Sequence, residues 1–140
     1  MRSVYIGIDL GTTNCKIALI NRRQDRHSEI IENLNIPQFL SGREWSARGI
    51  PYLPSVVYFD NETKVYVGQY AKQDMAIRRP ERTVRSIKRL MGRTWSYQPF
   101  PELNLSPQGI SALILRKLRE AAQAHLQQPV DAAVVTVPAS

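Results

Sequence analysis

Apolar and polar residues alternate at the start of the chain in the manner of two short strands joined by a tight turn. Residues 4–10 (VYIGIDL) place large aliphatic side chains on one face, and Asp9 lies near the end of the opposite face. Residues 15–20 (CKIALI) lead away as a second strand. Between them, Gly11, Thr12 and Thr13 form a turn that can bring backbone N–H groups and hydroxyl donors together. The pattern therefore predicts a β-hairpin with a carboxylate beside its turn.

The same kind of pattern predicts further strands and helices along the chain. Strands are expected at residues 28–32, 55–60, 64–67 and 132–137. Helices are expected at residues 69–77, 83–91 and 107–127. The last helix has the clearest signals, because Ser106 is a suitable N-cap, Pro107 suits the first turn and apolar residues recur at helical spacing.

Prolines and glycines mark two stretches without a regular pattern. Residues 33–54 contain three prolines, two glycines and Trp45 among charged residues, so a long loop is predicted there. Phe39, Leu40 and Trp45 could form a partner site in this loop, although a mobile or locally packed loop is the favoured interpretation. A second loop is predicted at residues 95–105, which contain two prolines.

The composition is that of a globular protein. A chain of 140 residues, 43% of them hydrophobic, is long enough for one domain or part of a larger one. No apolar run approaches the length of a membrane span, and residues 1–3 lead directly into a strand, so neither a membrane segment nor a secretory leader is expected. The single cysteine excludes an internal disulfide and fits a reducing cytoplasm. Cys15 is predicted to be a small buried side chain rather than a reactive thiol.

The net charge of +7 would allow binding to nucleic acid, a membrane surface or an acidic partner. Much of this charge lies in residues 78–93, which contain seven arginines and lysines, with Trp95 just beyond. No RNA- or DNA-binding motif accompanies the run, and helices often carry solvated charge. A solvated or fold-internal basic face is therefore predicted rather than a nucleic-acid site.

The turn at residues 11–13 has two chemical interpretations. A polyphosphate needs donors from a backbone that can approach closely, which suits Gly11, and its magnesium ion needs an oxygen ligand, which Asp9 can supply directly or through water. Alternatively, Asp9 and Gly11 only make the turn of a hairpin, since both residue types are common in turns. The pattern alone leaves a phosphate and metal site and a structural turn equally open.

Four segments match, in order, the motifs of one ATPase family. GIDLGTTN at residues 7–14 resembles the first phosphate-binding hairpin of the DnaK-type chaperones, the heat shock protein 70 family, which belongs with actin and the sugar kinases in one superfamily. VGQYAK at 67–72, SIKRLMGR at 86–93 and VDAAVVTVPA at 130–139 match at similar spacing. The resemblance implies an α/β, ribonuclease-H-like or actin-like ATPase fold, as a partial first lobe with a mixed sheet, flanking helices and an inserted small α+β subdomain at residues 55–106. Residues 1–140 would then be the N-terminal portion of a nucleotide-binding domain, and residues 33–54 a loop insertion.

The resemblance also implies roles for individual residues. Asp9 would hold Mg²⁺ through water, and Lys72 would approach the terminal phosphate of ATP and help to place the attacking water. Four residues would line the phosphates of ATP or ADP, namely Gly11, Thr12, Thr13 and Asn14, with Thr13 as the hydroxyl nearest the γ-phosphate. Pro138 would couple the nucleotide state to the rest of the chaperone. Lys16 departs from the family pattern and is expected to point outward.

The parent function implied by the resemblance is ATP-dependent chaperone work in the cytoplasm, with unfolded polypeptide, J-domain co-chaperones and nucleotide exchange factors as partners. The chain resembles only about the first third of a DnaK-type ATPase domain. The second phosphate loop and the adenosine pocket are therefore expected to be missing, so ATP turnover by these residues alone should be weak or zero. Core surface that the missing lobe would cover offers a route to self-association. Two rivals remain, a non-enzymatic chaperone-like interaction module and another actin-like or sugar-kinase ATPase.

Overall fold

The structure, a computed structural model, describes residues 4–22, 29–87, 94–128, 130 and 134–136. These residues form a mixed α/β fold with several antiparallel sheets. The strands are, in chain order, β1 (Val4–Leu10), β2 (Asn14–Arg22), β3 (Glu29–Asn33), β4 (Ile36–Leu40), β5 (Glu44–Ile50), β6 (Leu53–Pro54), β7 (Val56–Asn61), β8 (Lys64–Val67), β9 (Thr83–Arg85), β10 (Tyr97–Phe100), β11 (Leu103–Leu105) and β12 (Val134–Thr136). The helical segments are a π-helical turn (Ala71–Met75) that continues into α1 (Ala76–Arg78), a long helix α2 (Pro107–Leu126), and 3₁₀ turns at Ser41–Arg43 and Pro80–Arg82.

β1 and β2 are the inner strands of a five-stranded mixed sheet. The strand order is β12-β1-β2-β3, and β6 also pairs with β2. β12 runs parallel to β1, whereas β2 is antiparallel to it. Ile6 and Ile8 of β1 are buried, in agreement with the alternating pattern of the sequence. The predicted leading hairpin, the third strand and the strand near the end of the chain are confirmed.

β7 is the inner strand of a second sheet, whose order is β8-β7-β9. Its side chains alternate between two clusters, because Val57 and Phe59 belong to the main core while Val56 and Tyr58 belong to a smaller, tyrosine-rich cluster. A strand that is covered on both faces requires a nearly continuous apolar run, which VVYF supplies. The predicted hairpin of residues 55–67 is confirmed.

α2 covers the main core with one face, as its helical pattern predicts. The buried residues of this face are spaced four apart, namely Ile110, Ile114, Leu118 and Ala122. At its start, the Ser106 Oγ accepts a hydrogen bond from the Gly109 N–H at 3.1 Å. The predicted N-cap is therefore confirmed, and the helix ends where Gln127 adopts a left-handed conformation with φ 55°.

The long loop predicted at residues 33–54 is wrong, because the segment contains an antiparallel hairpin of β4 and β5. Phe39 pairs with Trp45 across the hairpin, and their rings meet edge to face with centroids 5.0 Å apart. Gly42 (φ 74°) and Gly49 (φ 76°) adopt left-handed conformations at the turn and beside the register shift. The glycines that suggested a loop therefore supply the special backbone conformations of a hairpin. Whether the segment is an insertion stays a prediction.

The helix predicted at residues 83–91 is wrong at its start, because Thr83–Arg85 is strand β9. β9 pairs with β7 along the edge opposite β8, with Val57 opposite Val84. A buried strand such as β7 needs partners for its backbone groups on both edges, and β9 supplies the second set. Residues 88–91 of the predicted helix lie outside the described residues.

The loop predicted at residues 95–105 is also wrong, because β10 and β11 form a hairpin there. Trp95 stacks on Tyr97, with ring centroids 6.0 Å apart, and Phe100 receives the Arg82 guanidinium 4.0 Å from its ring centroid. This contact places one arginine of the basic run of residues 78–93 inside the fold, while Arg78 and Arg79 are exposed. The described part of the run thus combines solvated and fold-internal charge, as predicted.

Removal of the α2 cap should destabilise the chain measurably. We expect Ser106→Ala to lower the free energy of unfolding by about 1 kcal/mol, because the Gly109 N–H loses its acceptor. Urea unfolding followed by tryptophan fluorescence measures the change, with the exposed Ser96→Ala as a matched control. Equal stability of the two variants would contradict the capping role.

Candidate functional site

The candidate site is the turn between β1 and β2. Asp9 lies near the end of β1 with its side chain exposed, and Thr13 is exposed in the turn. Gly11, Thr12 and Asn14 are partly buried. The structure thus brings Asp9 and the four predicted phosphate-lining residues together on one turn, which follows directly from their adjacency in the sequence.

Gly11 is required by the tightness of this turn. A Cβ atom added at Gly11 would lie 2.2 Å from the Asn14 carbonyl oxygen, a separation that no side chain can adopt without a backbone shift. The backbone of residues 11–14 therefore folds back on itself at closer range than any other residue would permit. Such a close backbone approach suits both a hairpin turn and a cradle for an anion.

Ser55 holds the turn from the second sheet. Its Oγ donates a hydrogen bond to the Gly11 carbonyl at 2.9 Å, and its N–H donates one to the Thr13 carbonyl, also at 2.9 Å. The Cys15 Sγ lies 3.2 Å from the same hydroxyl. Ser55 is 5% exposed; its contact with Cys15 is buried, and its hydroxyl bond to Gly11 is partly buried. We refer to this group of contacts as the Ser55 anchor.

The strand β6 strengthens the same connection. Its residues Leu53 and Pro54 pair with Cys15 and Asn14 at the start of β2. Cys15 is fully buried among these contacts, which confirms the prediction of a small buried side chain. The turn is therefore fixed on two sides by residues that immediately precede β7.

One polar atom of the turn is buried without a partner. The Asn14 Oδ1 is inaccessible to solvent and accepts no hydrogen bond from the described residues. A buried acceptor in this condition carries a desolvation cost unless a donor from outside the chain reaches it. The Tyr66 hydroxyl and the Gln69 Oε1, which lie away from the turn, are buried without a partner in the same way, so this atom alone does not mark a ligand site.

The residues present fit a magnesium ion that is only partly held by protein. Asp9 offers an exposed carboxylate. Within the described ranges no group of three His, Cys, Asp or Glu side chains could hold a metal ion. Magnesium commonly takes one or two carboxylates and completes its shell with water and phosphate oxygens, so a single carboxylate at this turn is sufficient.

Lys16 lies directly opposite Asp9 in the pairing of β1 with β2. Residues paired in this way share one face of the sheet, and the Lys16 side chain is exposed, as predicted. The face that carries the Asp9 carboxylate therefore also carries a cation.

Lys72 lies in the π-helical turn Ala71–Met75 and is partly buried. Its N–H donates to the Gly68 carbonyl at 3.0 Å, and the Gly68 N–H donates to the Val56 carbonyl at 3.0 Å. Val56 directly follows Ser55 in the sequence. These two backbone hydrogen bonds therefore connect the π-helical turn that contains Lys72 to the Ser55 anchor. Among the described residues, no hydrogen bond or ion pair joins the Lys72 side chain itself to residues 9–14. Pro138 lies outside the described residues.

Sequence reasoning missed two polar residues that organise this region, Ser55 and Gln38. Gln38 is fully buried, and its Oε1 accepts a hydrogen bond from the Gln69 N–H at 2.9 Å. A serine directly before an apolar strand is the signal that could have found Ser55. No local pattern marks Gln38, because two of its partners, Tyr52 and Gln69, are 14 and 31 residues away along the chain.

Two open surface pockets lie away from the turn. One, of about 340 Å³, is bounded by β8 and α2, and the other, of about 460 Å³, by residues 32–37 and the end of α2. Burial lowers the pKa of Lys117, which lines the first pocket and lies 5.2 Å from the Trp45 ring centroid. None of the predicted site residues lines either pocket. In the described ranges, no helix is both long and apolar enough to cross a membrane.

Fold and turn together define a mixed α/β protein whose leading hairpin presents a carboxylate, a glycine and two threonines at one tight turn. The family model described as Hsp70 protein matches residues 5–103 and 97–140 of this chain. The chain therefore belongs to the Hsp70 family.

Similar relatives include proteins named chaperone protein DnaK from Thermotoga neapolitana, Thermotoga petrophila and Thermotoga maritima. Each is 40% identical to this chain over 138 residues, which cover 99% of the chain and 20% of the relative. The chain thus spans about 20% of the length of these relatives and matches their N-terminal part, at the start of the ATPase domain.

The geometry of the turn predicts a contrast between two glycines. We expect Gly11→Ala to destabilise the chain by about 1–3 kcal/mol, because the new Cβ meets the Asn14 backbone. Gly7→Ala is the matched control on β1, since its Cβ would meet the Ala18 Cβ at an ordinary 3.9 Å. Urea unfolding of both variants measures the difference. Similar stabilities would mean that the turn relaxes and that Gly11 is not required.

Proposed function

We propose that this chain forms part of the ATP-binding site of a DnaK-type chaperone and supplies one side of the phosphate pocket. The observation that carries the proposal is the Gly11–Asn14 turn, whose tight backbone, unpartnered Asn14 Oδ1 and neighbouring Asp9 carboxylate occur in a member of the Hsp70 family. Backbone amides and hydroxyl groups on such a turn can donate to phosphate oxygens, and no side chain at Gly11 blocks their approach.

Each site residue takes a separate task in this proposal. Asp9 holds Mg²⁺ through water, and the ion, when bound, offsets the charge of the phosphates. Thr12 and Thr13 donate hydroxyl hydrogen bonds to phosphate oxygens, and Asn14 binds water beside the ion. Lys72 places its ammonium near the terminal phosphate, where it stabilises negative charge that develops during transfer to water.

The wider proposal concerns the longer protein of which these relatives are examples. Its fold would be the actin-like ATPase fold, with residues 55–106 as an inserted subdomain. Its ATP and ADP states would switch the affinity for unfolded polypeptide in the cytoplasm, under control of a J-domain co-chaperone and a nucleotide exchange factor. The relatives are about five times as long as this chain, so other residues of the longer protein would complete the site.

A second candidate function is a non-enzymatic interaction module. It is favoured by the exposure of Trp45, which is 49% accessible on β5 although large apolar side chains are usually covered. This candidate needs no phosphate chemistry from residues 9–14. It therefore differs from the first candidate in whether Lys72 affects ATP hydrolysis.

Replacement of Lys72 tests the proposed function in the full-length protein that carries these residues. We expect Lys72→Ala to abolish single-turnover hydrolysis of ATP while leaving nucleotide affinity within about threefold, because charge stabilisation acts mainly on the transition state. Rapid-quench measurements of phosphate release and calorimetric titration with ADP give the two quantities.

Lys64→Ala is the matched control, since Lys64 is an exposed lysine of the same subdomain on β8. Its hydrolysis rate should equal that of the unsubstituted protein. Undiminished hydrolysis by Lys72→Ala would remove Lys72 from the mechanism. Complete lack of nucleotide binding and hydrolysis by the unsubstituted protein would instead support the interaction module.

A further inference from the structure

The β4–β5 hairpin contacts the segment that carries the Lys72 turn at two separate points. We use the name Lys72 turn for the π-helical residues Ala71–Met75. One contact is made by Gln38 from β4 at the residues that precede the turn. The other is made by Ser41 and Gly42, at the tip of the hairpin, to Asp74 within the turn. The hairpin therefore holds the segment that carries Lys72 both before and after the lysine.

Gln38 is fully buried, and its contact uses both ends of the side-chain amide. Its Oε1 accepts from the Gln69 N–H at 2.9 Å, while its Nε2 donates to the carbonyls of Ile36 and Tyr52 at 3.1 and 3.0 Å. A buried amide with every group bonded fixes its partners strongly, because each lost bond would leave a polar group unsatisfied. Gln38 thus ties the first residue after Gly68 to the hairpin backbone.

Gly68 permits this contact. It has φ 116°, and a Cβ added there would lie 2.3 Å from the Gln38 Oε1. The amide of Gln38 therefore occupies the space that a side chain would take at position 68. Since the Lys72 N–H donates to the Gly68 carbonyl, the same glycine connects Gln38 to the lysine backbone.

The second contact is a pair of hydrogen bonds to one carboxylate. Asp74 accepts from the Ser41 hydroxyl at 2.8 Å and from the Gly42 N–H at 2.6 Å. Hydrogen bonds to a carboxylate are shorter and stronger than those between neutral groups. Gly42 lies at the tip of the hairpin and adopts the left-handed conformation, with φ 74°.

The Lys72 turn needs external support to hold its geometry. The helical segment from Gln69 to Arg78 is too short to be stable by itself, and a π-helical turn inside it has an unusual hydrogen-bonding pattern. Residues two apart in a helix do not share a face, so Asp74 is available to the hairpin without competing for the Lys72 ammonium. The two contacts fix where the segment lies and how it is rotated.

We propose that the β4–β5 hairpin is a clamp that positions Lys72, with Gln38 and Asp74 as its positioning residues. The inference rests on the role of Lys72 given above under the proposed function. Neither residue contacts the phosphates, and each acts only by holding the Lys72 turn. The hairpin is thus a specialised support for the lysine, in the segment where the sequence predicted an insertion.

The test uses the full-length protein and separates the rate of hydrolysis from the affinity for nucleotide. We expect Asp74→Ala to slow single-turnover ATP hydrolysis by about tenfold to a hundredfold, since a displacement of about 1 Å at a catalytic group has effects of this size. The affinity for ADP should stay within about twofold, because the turn at residues 11–14 is untouched.

Three variants make the result specific. Asp74→Asn keeps one acceptor oxygen and should recover part of the rate, and Ser41→Ala, which leaves the Gly42 bond, should lose less than Asp74→Ala. Gln73→Ala is the matched control, because Gln73 is exposed on the same turn. Gln38→Leu should have a larger effect than any of these, and its thermal unfolding shows whether the protein still folds.

The outcomes test the clamp and the proposed function separately. Unchanged hydrolysis by Asp74→Ala, or equal losses in rate and affinity for Asp74→Ala and Gln73→Ala, would overturn the clamp. If Lys72→Ala leaves hydrolysis intact, or the unsubstituted protein hydrolyses nothing, the role of Lys72 fails. The clamp is then judged by amide hydrogen exchange, where Asp74→Ala should accelerate exchange at Lys72, and unchanged exchange overturns it.

Discussion

The architecture of the candidate site depends on one buried hydroxyl, that of Ser55. Among the described residues, no helix or long loop holds the turn after β1. Its Gly11 and Thr13 carbonyls accept hydrogen bonds from the Ser55 hydroxyl and N–H. Ser55 satisfies both from the residue that directly precedes β7. Because Ser55 is buried, loss of the hydroxyl would leave the partly buried Gly11 carbonyl without its partner in the chain. The position of the turn is thereby set by the second sheet and not by the turn sequence alone.

β7 extends this constraint to the rest of the site. Its alternate side chains enter two different clusters, so a shift of β7 would disturb both at once. The same strand starts beside Ser55 and bonds Gly68 through Val56, and Gly68 in turn receives the Lys72 N–H. A strand that cannot slide therefore sets the spacing between the glycine turn and the lysine, which lie about 60 residues apart in the sequence. Rigid spacing of this kind is what a phosphate site requires of residues on separate elements.

The sequence predicts the elements whose cause is local and misses those whose cause is distant. The β1–β2 hairpin and α2 follow from alternation, helical spacing and the Ser106 cap, all of which act within a few residues. Thr83–Arg85 resembles a helix in isolation and becomes β9 because the free edge of β7 requires a partner. Likewise, Gly42 and Gly49 suggest a loop when only the local sequence is considered. The contact of Phe39 with Trp45 across the two strands shows that they belong to a hairpin. The position of residues 9–14 on one turn was predictable because they are contiguous, whereas Ser55 and Gln38 act across 31 to 44 residues of sequence.

The residues that hold the turn in place are buried, whereas the charged and hydroxyl side chains at the candidate site are mostly exposed. Ser55 and Gln38 are buried and have their polar groups bonded inside the chain, whereas Asp9, Thr13 and Lys16 are exposed. This division follows from free energy, since a carboxylate or ammonium without a partner is costly to remove from water. The Asn14 Oδ1 is the exception, because it is buried in the turn and yet accepts no bond from the described residues. A rigid frame can hold such an acceptor at a cost in stability, and among the described residues it also holds the Tyr66 hydroxyl and the Gln69 Oε1 without partners. The frame therefore tolerates unsatisfied polar atoms both inside and outside the turn.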